Sequence, residues 1–260
     1  MVLRLPMKFF KRILNFSDAG TVPNEKRSRQ RYAPNEQFPL KAVLNLTGRD
    51  ETGAELQNRH GGLGWDWSGR LVNFSDHGAR MQLPASVSAM RGDSCHLKLA
   101  LEGYKLVIPG RIANLSEQRD SVVYGLTLDI KDESTQLAYR QLIELVALGA
   151  TLKPSAKAAK RDQSGYLVEQ YTGATRSRLK VWRDQADKAV AAFEFMLQDC
   201  LVRAAQGHRV EYLVGTDAAE ARQASGSKST EIHRLFHWVV PNLAPAVPAD
   251  VREFLQRYAA

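Results

Sequence analysis

Apolar residues recur at every second position from Phe38 onward. Phe38, Leu40, Ala42, Leu44 and Leu46 alternate with Pro39, Lys41, Val43 and Asn45. A period of two sends alternate side chains to opposite faces, so this run predicts a half-buried strand. Similar runs cover Trp65–Phe74, Ala79–Leu83, Ser94–Leu101, Tyr104–Asn114 and Ser121–Ile130. Ser75–Gly78, Gly103 and Gln118-Arg119-Asp120 supply turn chemistry between them. Residues 48–64 are rich in Gly, Asp, Glu and Asn and read as a long excursion. Strands this closely spaced, with no helix between them, predict an antiparallel barrel.

After Asp132 the period becomes helical. Leu137, Leu142, Ile143, Leu145 and Val146 make one apolar face, and Gly149 reads as a stop. Residues 153–165, polar and small with one proline, read as a linker. Arg176–Ala205 reads as one long amphipathic helix with Leu179, Trp182, Val190, Phe193, Met196, Leu197 and Leu201 on one side. Such a stripe is core packing rather than a cofactor box. Arg209–Val214 suggests a short strand, 216–230 a mobile stretch, and Ile232–Val240 and Asp250–Tyr258 two shorter helices. The expected organisation is a basic arm (1–24), a β-barrel domain (25–150), a linker (151–165) and a mainly helical C-terminal region (166–260).

Composition adds compartment and charge. The 260 residues are 44% hydrophobic and 25% charged, the balance of a water-soluble protein. No apolar run reaches the ~20 residues of a membrane span. Lys8, Lys11 and Arg12 break up the first twenty residues, so no export signal forms and the cytosol is the expected compartment. Cys95 and Cys200, far apart and in apolar surroundings, predict buried thiols rather than a disulfide. The net charge is +8, and residues 1–31 hold eight basic against two acidic residues, a net +6. An arm of that kind attracts an anion: nucleic acid, a membrane surface or a phosphorylated small molecule.

Two short segments choose among these. Arg27 and Arg31 form an RxxxR pair, with Lys26 before it and Arg29 inside it, and Asn73, Ser75 and Gly78 form an N-x-S-x-x-G turn. Guanidinium forks suit phosphates and the O6/N7 edge of guanine, and also stack on purines. The Asn amide and Ser hydroxyl both donate and accept. Gly78 allows a positive φ or close approach of a ligand. In this order, with strand-like sequence between and after them, the two segments resemble the PilZ family of cyclic di-GMP receptors. Glu25-Lys26 and Tyr32 around the first motif, and Pro109-Gly110-Arg111-Ile112 and Tyr124-Gly125-Leu126-Thr127-Leu128 downstream, extend the resemblance over residues 25–148.

The resemblance implies a six-stranded antiparallel PilZ-type barrel followed by a helix. It also implies cyclic di-GMP as ligand on Arg27, Arg31, Asn73, Ser75 and Gly78, with Lys26 and Arg29 as additional contacts. In this family the residue before RxxxR is associated with ligand count, and Lys26 leaves one and two molecules both open. The implied function is a non-enzymatic receptor that regulates a bacterial process through a protein partner, with the C-terminal helices as output or self-association element. Two alternatives stand beside it: a nucleic-acid binder using the arm with Tyr32, Trp65 and Trp67 as stacking surfaces, and a PilZ-like module that binds only protein. No nucleophile, acid/base pair or metal set is assignable. His233 and His237 have i,i+4 spacing but no third ligand. Asp76 and His77 read as exposed turn residues, and Trp65 and Trp67 as core residues on one strand face. The basic amphipathic segment Met7–Phe16 reads as self-packing or disordered rather than membrane-bound.

Overall fold

The computed structural model describes residues 30–47, 64–156, 160–174 and 176–260. They divide into two units, one holding 30–34 and 39–143, the other 35–38 and 144–260.

In the first unit six antiparallel strands close into a barrel in the order β1-β2-β3-β6-β5-β4. They are β1 (Leu40–Leu46), β2 (Trp65–Ser75), β3 (Gly78–Pro84), β4 (Ser94–Leu101), β5 (Tyr104–Glu117) and β6 (Ser121–Leu128). All six fall on runs predicted by alternation. β4 shows the cause plainly: Cys95, Leu97, Leu99 and Leu101 are buried while Ser94, His96, Lys98 and Ala100 are not. Closure leaves no unpaired strand edge. Glu102 and Gly103 join paired Leu101 and Tyr104 with φ of 41° and 93°. Positive φ at both positions makes a hairpin loop whose twist matches its strands. Trp65 and Trp67 do share a face, opposite Leu46 and Leu44. Trp65 is nevertheless 50% exposed, because its pairing with Leu46 is the last one between β1 and β2.

The helix α1 (Glu133–Ala150) follows the barrel. Asp132 starts it, accepting from the Thr135 N–H at 2.7 Å and from the Ser134 hydroxyl. The Ser134 hydrogen bond, then that of Thr135, holds this carboxyl below its usual range. Asp132→Ala is expected to cost about 1 kcal/mol, read as a lower urea midpoint. A carboxyl with a lowered folded pKa stabilises above the ordinary carboxylate pKa and loses that effect as pH falls through the lowered value. The gap between wild type and Asp132→Ala should therefore close in acid. Gly149 does not stop the helix, which runs on to Ala150. A Cβ there would lie 2.8 Å from the Asn242 carbonyl oxygen and 2.9 Å from that of Val239, so glycine serves a close backbone approach.

The second unit is a sheet rather than a mainly helical region. Its strands run β14-β13-β12-β11-β10-β9-β7, with β8 also paired to β9. They are β7 (Lys153–Pro154), β8 (Lys160–Arg161), β9 (Leu167–Thr172), β10 (Ser177–Arg183), β11 (Val190–Leu197), β12 (Cys200–Ala205), β13 (Glu211–Val214) and β14 (Arg222–Gln223). The expected long helix at 176–205 is thus the antiparallel meander β10-β11-β12. Two causes hid it. The β10–β11 and β11–β12 connections turn through positive φ at Lys188 and Gln198, both 61°, with neither glycine nor proline to mark them. In β11 and β12 both faces are buried over Phe193–Leu197 and Cys200–Val202, which erases the period of two. Short β7 and β8 fall in the segment read as a linker, and β14 in the stretch read as mobile.

The helices α2 (Gly226–Val239) and α3 (Ala249–Ala259) are those expected near 232–240 and 250–258. They cover one sheet face, where Phe193 stacks on Phe236 at 5.6 Å and meets Phe254 edge-on at 6.2 Å. His233 and His237 have separate partners: the Tyr212 hydroxyl and the Ala259 carbonyl, each at 2.7 Å from Nδ1. Arg183 is 7% exposed and ties the sheet to α3. Its Nε donates to Glu169 at 2.9 Å, its Nη1 to the Lys188 carbonyl at 2.9 Å, and both Nη atoms to Asp250. Cys95 and Cys200 are free buried thiols, and burial pushes each up to about 12. No helix among the described residues is long and apolar enough to cross a membrane.

Candidate functional site

A bulge creates the site. Strict alternation along β2 from buried Leu71 would turn Asn73 into the barrel. Instead Leu71 pairs with Met81 and Asn73 with Arg80, so Val72 is an extra residue on β2. The bulge reverses the phase, placing Asn73 outward and Phe74 inward with none of its surface exposed. Ser75 pairs with Gly78, and Asp76-His77 form the hairpin loop. Beneath it Tyr139 of α1 packs on Phe74 with ring centroids 6.1 Å apart and reaches the Gly78 carbonyl at 3.4 Å.

Phe74 also fixes the end of the basic arm. Tyr32 and Phe74 exchange two backbone hydrogen bonds of 2.9 Å in an isolated antiparallel bridge. Arg31 is thereby held beside the motif, its Nη1 at 3.5 Å from the Asn73 side-chain oxygen. Arg27, with Lys26 and Arg29, lies outside the described residues.

Arg31, Ser75 and Gly78 line one cavity of about 450 Å³, together with His77, Arg80, Ala113, Asn114, Gly125, Leu126 and Thr127. Asn73 stands at its side through the Arg31 contact. Ser75 is buried, with its hydroxyl 3.4 Å from the Gly78 carbonyl oxygen. His77 is exposed, as expected of a turn residue. Gly78 does not take a positive φ; a Cβ there would lie 2.8 Å from the Leu126 carbonyl oxygen. Glycine is needed here for approach of β6. Arg80 and Asn114 went unread in the sequence, although Arg80 follows the second motif by two residues.

A larger cavity, about 620 Å³, lies in the second unit, with Trp182, Ala192, Glu194, Arg203 and Glu211 among its lining. Its Glu194 is paired with Lys180 and its Glu211 with Arg203. Size favours this cavity, but chemistry favours the other. The smaller one gathers cationic forks, two hydroxyls and a carboxamide, with no carboxylate among the described residues of its lining, which suits a phosphate-bearing ligand with polar ring edges.

Residues 25–148 match the model of the PilZ domain family. Among solved structures, the chain is similar to the PilZ domain of CeSA from a cellulose-synthesizing bacterium. That match has 13% identity and a TM-score of 0.27, covering 44% of this chain and 94% of that one. It is also similar to the Borreliella burgdorferi PlzA protein in complex with c-di-GMP, at 6% identity and a TM-score of 0.30, covering 87% of this chain and 96% of that one. No curated protein matches the chain.

Proposed function

Because the chain carries a PilZ domain at residues 25–148, we propose that it is a cytosolic receptor for cyclic di-GMP that acts by binding rather than catalysis. The observation that carries this reading is the convergence of both motifs. Arg31 from the arm and Ser75 and Gly78 from the β2–β3 hairpin line one cavity, and Asn73 meets Arg31 at its side. In this reading Arg27 and Arg31 clamp phosphates and guanine faces, with Lys26 and Arg29 adding positive potential. Asn73 and Ser75 hold the ligand's polar edges on the rigid sheet.

Binding then shifts the arm toward a ligand-held population, by as much as the ligand prefers that state. The route outward begins at Tyr32. Three residues later the chain belongs to the second unit, where the Asn35 N–H donates to Asn242 at 2.9 Å and Gln256 donates to Gln37 at 3.1 Å. A change in the arm is passed on through this peptide to a protein partner of the second unit.

Phosphate attraction to cations at an exposed site is screened within ~10 Å at 0.1 M salt. Affinity for cyclic di-GMP should therefore fall steadily as sodium chloride rises, measured by fluorescence titration. Affinity independent of salt would argue against arginine–phosphate contacts as the main attraction.

A further inference from the structure

The outer face of the barrel carries the site further than its two motifs reach. Register aligns one residue from each of four adjacent strands: Asn73 on β2 opposite Arg80 on β3, Arg80 opposite Gly125 on β6, and Gly125 opposite Asn114 on β5. Directly opposed residues share a face, and three strand spacings of about 4.8 Å give the row a span of roughly 14 Å.

A second bulge completes it. On β5 Ile112 pairs with Leu126 and Asn114 with Gly125, so Ala113 is an extra residue, as Val72 is on β2. Ile112 points inward with 1% of its surface exposed, and Asn114 is turned out. The two bulges thus deliver one asparagine to each end of the same row. Bulges are over-represented beside functional sites because they re-aim a side chain without ending the strand.

Between these ends Gly125 leaves a gap. A Cβ there would lie 2.4 Å from the Asn114 Oδ1, so glycine keeps open the space that the carboxamide occupies. Arg80 and Asn114 are both exposed, and neither has a hydrogen-bond or ion-pair partner among the described residues. Both line the cavity that holds Arg31 and Ser75. A cation and an amide without partners among the described residues, on a rigid sheet facing one concavity, are groups available to a ligand.

We infer that the cyclic dinucleotide site extends across β3, β6 and β5. Arg80 gives a sheet-borne guanidinium to a phosphate, and the Asn114 carboxamide pairs with the edge of the second base. This rests on the receptor reading above and adds the half of the ligand that the arm and the N-x-S-x-x-G turn leave unheld. A ligand with two bases on opposite sides of a phosphate ring needs polar groups at both ends of its site, and the row supplies them.

The test is calorimetric titration of cyclic di-GMP into the full chain and into Arg80→Ala, Asn114→Ala and Arg31→Ala. Arg80 and Asn114 are exposed, so circular dichroism should show both variants folded. The expected result is about a ten-fold loss of affinity in Arg80→Ala, partly restored in Arg80→Lys, and a several-fold loss in Asn114→Ala. The Asn114 variant should also prefer cyclic di-GMP over cyclic di-AMP less than wild type does. Unchanged affinity in both, alongside a loss in Arg31→Ala, overturns the extension and leaves the receptor reading standing. Absence of binding by the wild-type chain overturns both.

Discussion

Arg27→Ala and Arg31→Ala are each expected to lower the affinity for cyclic di-GMP by about ten- to one-hundred-fold, with the double variant binding too weakly to titrate. In the proposed complex each guanidinium would donate charge-assisted hydrogen bonds to an ionised phosphate, worth about 1.5–3 kcal/mol apiece. The effect should be nearly as large in Arg31→Lys, which keeps the charge but loses the planar fork and its stacking surface. The fold should not change, because Arg31 is exposed and Tyr32, not Arg31, supplies the backbone bridge to Phe74. The measurement is calorimetric titration, with urea unfolding as a control for stability. Wild-type affinity in both single variants would remove the arginine pair from the site.

The second large effect concerns stability. Arg183→Ala should destabilise the second unit by about 3 kcal/mol, the low end for breaking a buried ion pair. Arg183 is nearly fully buried and serves Glu169 on β9, the Lys188 carbonyl in the β10–β11 loop and Asp250 at the start of α3. Its removal strands those groups and leaves a cavity where the guanidinium stood. Asp250 is half exposed and regains water, which keeps the cost at the lower bound. The hydrogen bond to Arg183 holds the Asp250 carboxyl below its usual range. Its contribution is therefore complete above the ordinary carboxylate pKa and fades as pH falls through the lowered value. Urea titration at neutral pH should show a lower midpoint for the second unit's transition in Arg183→Ala, with the difference shrinking in acid. An unfolding free energy within about 0.5 kcal/mol of wild type would mean that helix packing on the sheet, not this network, secures α3.

How much the sequence revealed follows from local physics. The barrel was legible because strands such as β4 bury one face and expose the other, so period two survives in the residue order. The second unit was not, because Phe193–Leu197 is buried on both faces and Lys188 and Gln198 turn the chain with neither glycine nor proline to mark the turn. The apolar residues of β10 to β12 also fall by chance at helical spacings. Arg31, Asn73 and Ser75 could be found from their motifs. Arg80 and Asn114 could not, since placing them in one row requires the register across β2, β3, β6 and β5. Two bulges set that register, at Val72 and Ala113, where simple alternation predicts the wrong face. Gly78, read as allowing a positive φ or close approach of a ligand, has no positive φ and instead admits the β6 backbone.

The central claim is that this chain binds cyclic di-GMP through the cavity joining the arm to the β2–β3 hairpin. Calorimetric titration of the full chain with cyclic di-GMP, with cyclic di-AMP and GTP as controls, tests it most directly. The account predicts saturable heat with cyclic di-GMP, much weaker or absent heat with the two controls, and loss of the signal in the Arg27→Ala/Arg31→Ala double variant. No heat from cyclic di-GMP with the folded wild-type chain, or equal binding of all three nucleotides, would contradict it.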